Sequence, residues 1–93
     1  MDLGISGKKA IICASSRGLG KACANDLAKE GAEIVINGVN EENLKKTEEE
    51  FLSKGFKVTS VLGAMEDSST RSALLEACPD PDILINNSGG PPP

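Results

Sequence analysis

"IICASSRGLGKACANDLAKEGAEIVING", Ile11 to Gly38, decides how this chain is read. The run Lys9 to Ala14 is continuously apolar after its first residue, the pattern of a strand covered on both faces. A loop containing Gly18 and Gly20 follows. It opens a helical stretch in which Leu19, Cys23 and Leu27 recur at i, i+4 and i+8. Gly31 stands where such a helix should stop, and Glu33 to Asn37 is a second buried strand. A strand that turns directly into a helix aims unpaired amide N–H groups at whatever lies beyond the turn, and the helix dipole adds positive charge there. Gly18 and Gly20 remove side chains where backbone must come close to a ligand or a neighbouring strand. Arg17 adds a permanent cation with a fork suited to phosphate. Ala14, Ser15, Ser16, Arg17, Gly18, Leu19 and Gly20 therefore form a candidate phosphate cradle. The plainer alternative uses the same glycines for a tight turn and leaves Arg17 in solvent.

Two familiar loop patterns do not fit. G-x-G-x-x-G is not present as written. The triphosphatase pattern G-x-x-x-x-G-K-[ST] fails because Ser15 replaces its first Gly and Ala22 its Mg²⁺-binding hydroxyl.

Outward from this stretch, strands and helices alternate. Asn40 is a good N-cap for a helix that has acids in its first turn and ends at Gly55, with Leu44 and Phe51 on its apolar face. Phe56 to Leu62 alternates as an edge strand does. A third helix starts from Asp67 or Ser68 and is stopped by Pro79 to Asp82, and Ile83 to Asn86 is a fourth, fully apolar strand. Asn37-Gly38 is a hairpin signal, but a capped helix follows it rather than a strand. The order β-α-β-α-β-α-β predicts an α/β fold with a parallel sheet and right-handed crossovers.

Composition narrows the chemistry. The 93 residues include no His, no Tyr and no Trp, so no histidine base, tyrosine acid or histidine metal ligand can come from this chain. Net charge is −4 and Lys/Arg never cluster beyond two, which argues against nucleic acid. No apolar run is long enough to cross a membrane or to form the core of a signal peptide. Cys13, Cys23 and Cys78 form no C-x-x-C pair and read as reduced core thiols, as expected of a cytoplasmic protein.

The two ends of the chain carry a resemblance. "CASSRGLG" is similar to the T-G-x-x-x-G-x-G loop of the short-chain dehydrogenase/reductase family, and "ILINNSGG" resembles that family's N-N-A-G motif after the fourth strand. Both lie in register, so the resemblance covers essentially the whole chain. The ending is also similar to a 3-oxoacyl-carrier-protein reductase-like group. The resemblance implies a Rossmann-type parallel sheet with helices on both faces and strand order 3-2-1-4. This would be an incomplete doubly wound domain, with residues 1–93 as the N-terminal portion of a single dinucleotide-binding domain. It implies that residues 14–20 cradle the cofactor phosphates and adenosine. Asn87, Ser88 and Gly89 would lie beside the nicotinamide-side ribose, and Ala64 and Met65 would line the adenine. Four positions depart from the family pattern: Cys13 for Thr, Ala14 for the first Gly, Ala64 for an adenine-binding Asp, and Ser88 for Ala.

A site that prefers NAD places a carboxylate at the end of the second strand. Here Asn37, Gly38 and Val39 hold that place, while Arg17 and Asn40 could meet a 2′-phosphate. NADP(H) is expected over NAD(H), although Val39 stands where the family's second basic residue would be. The family's catalytic Ser, Tyr-x-x-x-Lys and Asn lie downstream of N-N-A-G, so no catalytic residue is assigned and the chain alone is expected to be inactive. An apolar fourth strand at a sheet edge leads to the expectation that further chain covers it. The resulting expectation is the cofactor-binding portion of a homo-oligomeric, NADP-dependent oxidoreductase acting on a small carbonyl/alcohol substrate. A non-catalytic nucleotide-binding module is the alternative. A flavodoxin-like phospho-receiver ranks last, because it needs acids where Cys13, Ala14 and Ser15 stand.

Overall fold

A computed structural model describes residues 7–13, 18–64 and 67–86. The elements run β1 (Lys9–Cys13), α1 (Gly18–Lys29), β2 (Glu33–Gly38), α2 (Glu41–Ser53), β3 (Val58–Leu62), α3 (Ser68–Ala77) and β4 (Ile83–Asn86). All strand pairings are parallel and the sheet order is β3-β2-β1-β4, the Rossmann-type arrangement expected.

The period of two along each strand sorts the core into two layers. Ala10, Ile12, Ile34 and Ile36 face one way and pack with Ala24 and Ala28 of α1 and Leu44 and Phe51 of α2. Ile11, Cys13 and Val35 face the other way and pack with Leu74 and Cys78 around α3. The uninterrupted apolar runs of β1 and β2 are thus explained: both faces of both strands are covered.

α1 departs from its expected face. Cys23 and Leu27 are only half-buried, while Gly20, Ala24 and Ala28 are buried. The buried stripe keeps the i, i+4, i+8 spacing but is shifted by one residue. Small residues along the contact line let the helix axis approach the sheet, and the larger side chains flank the contact instead of sitting under it.

α2 is built as expected and capped at both ends. Asn40 Oδ1 accepts from the Asn43 N–H at 2.9 Å. At the other end Phe56 N–H donates to Phe51 O at 3.1 Å and Gly55 N–H to Leu52 O at 3.0 Å, the two bonds of a Schellman motif. Gly55 has φ +81, which a Cβ would disfavour. The accompanying apolar contact is Phe51 against Phe56, with ring centroids 5.9 Å apart. Thr47, a buried polar residue of this helix, was not singled out in the sequence. On the surface, Glu50 accepts from Lys21 Nζ of α1 at 3.0 Å and lies 3.6 Å from Lys54. The hydrogen bond from Lys21 is the main cause that holds the Glu50 carboxyl below the usual carboxylate range. This tie between α1 and α2 is therefore present at neutral pH and is lost as pH falls through that lowered value.

β3 sits at one edge, as its alternation implied. β4 is the other edge, as the order 3-2-1-4 implied, and its apolar letters are left partly uncovered: Leu84 is 64% exposed and Ile83 and Ile85 are half-buried. Leu84 is in register with Ile11 on the α3 side of the sheet, but the main contacts of α3 are with β3, and two strands separate β3 from β4.

Phe51 is fully buried where α2 meets the sheet. Phe51→Ala is expected to lower unfolding free energy by about 3–5 kcal/mol, read as a shift of the denaturant midpoint. Burial pushes the Cys13 thiol above its ordinary pKa. Folding therefore disfavours the thiolate, and stability contributed by Cys13 is lost as pH rises through the raised value. Alkylation near pH 8, followed by mass spectrometry, is expected to label half-buried Cys23 first. Cys13 and Cys78 should react only on unfolding.

Candidate nucleotide-binding site

In this parallel sheet every strand ends at the same edge, and every following helix begins there. β2 and β4 lie on opposite sides of β1, so the strand order reverses there and the gap between β1 and β4 is a switch point. Open α/β sheets bind ligands outside the strand ends at such a switch point. α1 begins there at Gly18, a few residues past the end of β1 at Cys13. Of the cradle, the structure places Gly18 and Leu19 as the first two helical residues and Gly20 as a buried one. Ala14, Ser15, Ser16, Arg17, Met65, Asn87, Ser88 and Gly89 lie outside the described residues.

The wall beyond β2 and β3 lies within the described residues as far as Ala64. β2 and β3 end in register, Asn37 opposite Val61 and Gly38 opposite Leu62. Asn37 is buried, and its Nδ2 donates to Val61 O at 3.1 Å and to Gly63 O at 3.0 Å. Gly63 N–H in turn donates to Gly38 O at 3.0 Å. Gly63 has φ +142, and a Cβ built on it would fall on Thr70 Oγ1 and 3.2 Å from Thr70 Cβ. No larger residue fits between β3 and α3 at this point without moving one of them. Ala64, half-buried, follows directly, and its carbonyl accepts from the Asp67 N–H at 3.0 Å. The sequence reading missed Gly63 and Thr70. Gly after a predicted strand was the available signal, but its close helical partner is a tertiary fact.

In the sequence Asn37 is one of three residues at the place of a ribose-binding carboxylate. Its side chain is instead inside the fold, where Nδ2 donates to one carbonyl of β3 and one just past its end, and Gly38 is buried as well. The rim of the crevice is left to Val39, 73% exposed, and to Asn40. Asn40 Oδ1 is engaged as the helix cap, so any contact with a ligand falls to its Nδ2. Glu41 and Glu42 follow in the first turn of α2. They suit the helix dipole, but they also put two carboxylates beside the rim, an electrostatic consequence the sequence reading did not draw.

A concavity of about 420 Å³ opens elsewhere, lined in part by Lys9, Glu33, Phe56, Lys57 and Cys78. It lies toward the amino-terminal ends of the strands, away from the switch point. Among the described residues no cluster of three or more His, Cys, Asp or Glu could hold a metal ion. No described helix is long and apolar enough to cross a membrane.

The geometry has relatives. The chain superimposes on the crystal structure of L-sorbose reductase from Gluconobacter frateurii, complexed with NADPH and L-sorbose. The TM-score is 0.89 at 37% identity, covering 97% of this chain and 36% of that one. A short-chain dehydrogenase/reductase from Burkholderia phymatum in complex with NAD matches with TM-score 0.77 at 27% identity, over 86% of this chain and 30% of that one. Among curated proteins, the 3-oxoacyl-[acyl-carrier-protein] reductase FabG of Aquifex aeolicus is 33% identical over 94 residues, 96% of this chain and 38% of that protein. The chain spans about a third of the length of the curated relatives it matches. The family model for short chain dehydrogenases matches residues 8–93, and with the parallel order β3-β2-β1-β4 beneath that match the chain belongs to the short-chain dehydrogenase/reductase family.

Proposed function

We propose that residues 1–93 are the N-terminal, cofactor-holding portion of a single dinucleotide-binding domain in an NADP(H)-dependent oxidoreductase. The observation that carries this reading is the wall at the strand ends. Gly63 lies against Thr70 with no room for a side chain, and α1 starts at Gly18 at the same edge of the sheet. Such a crevice suits a flat, phosphate-linked ligand held by backbone.

In this reading residues 14–20 face the pyrophosphate and adenosine. Ala64 and Met65 line the adenine, Asn40 Nδ2 approaches the ribose, and Asn87, Ser88 and Gly89 flank the nicotinamide-side ribose. The bound nicotinamide would supply hydride to, or accept it from, a small carbonyl/alcohol substrate. The proton of that exchange needs groups this chain lacks. It contains no Tyr, and the Ser, Tyr and Lys of the family's chemistry would come from outside these residues. The alternative is a nucleotide-binding module without turnover. A homo-oligomer in the cytoplasm belongs to the proposal for the whole protein.

The preference for NADP(H) rests on Arg17 and on a β2 end without a carboxylate. NADPH in the sorbose reductase supports it. Glu41 and Glu42 act against it, so Arg17 must outweigh them at the 2′-phosphate.

Titration of the protein with NADPH and NADH tests this balance. Tighter NADH binding overturns the NADP preference, and binding of neither dinucleotide overturns the proposed site. Arg17→Ala is expected to weaken NADPH at least about tenfold more than NADH, because hydrogen bonds to charged groups are worth roughly 1.5–3 kcal/mol. Equal losses would assign Arg17 to solvent. Glu41→Gln is expected to tighten NADPH by up to a few-fold, an effect that shrinks as salt screens the rim.

A further inference from the structure

We infer that Asn37 is a positioning residue for adenine recognition, acting through the turn Gly63–Ala64 and touching no ligand itself. The inference rests on the dinucleotide site proposed above.

β2 and β3 stop pairing at Gly38 and Leu62, and beyond them the chain must leave the sheet for α3. At that exit the Asn37 amide behaves as an added rung. Both Nδ2 bonds go to carbonyls of the neighbouring strand, one inside β3 and one past its end. A buried amide that lost these acceptors would carry its desolvation cost uncompensated, so the geometry is enforced. Gly63 is fixed by two hydrogen bonds, its carbonyl accepting from Asn37 and its N–H donating to Gly38 O, and any side chain on it would collide with Thr70. The peptide leading into Ala64 therefore has one orientation.

That orientation matters because of the residue it presents. Ala64 offers a methyl and no polar side-chain atom, so recognition of a purine edge at this wall falls to backbone groups. A backbone donor cannot swing to find its acceptor as a long side chain can. It binds well only where the fold has already aimed it. Asn37 does the aiming, from the strand whose continuation, Val39 and Asn40, forms the ribose rim. One amide thus fixes the spacing between the two walls.

The test is Asn37→Asp, with Asn37→Ser as a milder partner. Aspartate has the same shape but sets a carboxylate against two carbonyl oxygens. If Asn37 faced the ribose, aspartate would favour NADH over NADPH. If it positions the turn, NADPH, NADH and 5′-AMP should all weaken by about tenfold. The NADPH/NADH ratio should then stay within about threefold of the parent's, and binding of reduced nicotinamide mononucleotide, followed by NMR titration, should not change. Asn37→Ser, keeping one hydroxyl donor, should fall between. A switch towards NADH, unchanged 5′-AMP affinity, or an equal loss for the mononucleotide each overturns the inference. If Asn37→Asp does not fold, as judged by circular dichroism, Asn37→Ser decides on the same criteria. A parent protein that binds neither dinucleotide nor 5′-AMP overturns the underlying site as well, so the two failures are distinct.

Discussion

Parallel strands cannot be joined by a tight turn; each pair needs a crossover long enough to return to the starting end of the sheet. Once β1 is buried on both faces, the crossovers must pass over both sides, and right-handedness settles which side each takes. The consequence is chemical as well as architectural. Strand carboxyl ends and helix amino ends collect along one edge, where amide N–H groups without helical partners face outward. Ile11 and Ile12 lie behind this edge: one packs towards α3, the other towards α1 and α2.

Close approach is the second theme, and small residues produce it twice. Gly20, Ala24 and Ala28 bring α1 down onto β1 and β2. Gly63 brings the end of β3 onto Thr70 of α3. In both places bulk would lift a helix away from the sheet and widen the crevice between them. The helices are not held by these contacts alone. α2 has its own anchor in Phe51, its Schellman turn at Gly55 and the Asn40 cap. The wall containing Gly63 is consequently flanked by elements that are fixed independently of it.

Much of this was legible because it is local. The buried runs of β1 and β2, the Asn40 cap, the Gly31 and Gly55 stops and the alternation of β3 follow from period and propensity. What was missed depends on three dimensions. The apolar stripe of α1 was placed on its largest side chains, whereas the sheet selects its smallest. Asn37 carries a side chain that could serve a ligand or a neighbouring strand equally well. Only the register of β2 against β3 turns it inward.

The electrostatics of the rim follow from the same division between backbone and side chain. Glu41 and Glu42 stabilise the first turn of α2 through its dipole, so the helix gains from the charges that a 2′-phosphate would avoid. If recognition relied on side chains, those carboxylates would dominate the rim, because Val39 is apolar and Asn40 has given its oxygen to the cap. A cradle of backbone amides changes the balance. In the proposed site, aimed dipoles would attract phosphate without a mobile cation, and Arg17 would have only the acids of α2 to offset. The same logic would suit the alanine at position 64 of the proposed site. Where the main chain makes the contacts, a side chain has to be small more than it has to be polar. The constraint then moves to whatever sets the direction of the main chain, which at the adenine wall is the amide of Asn37.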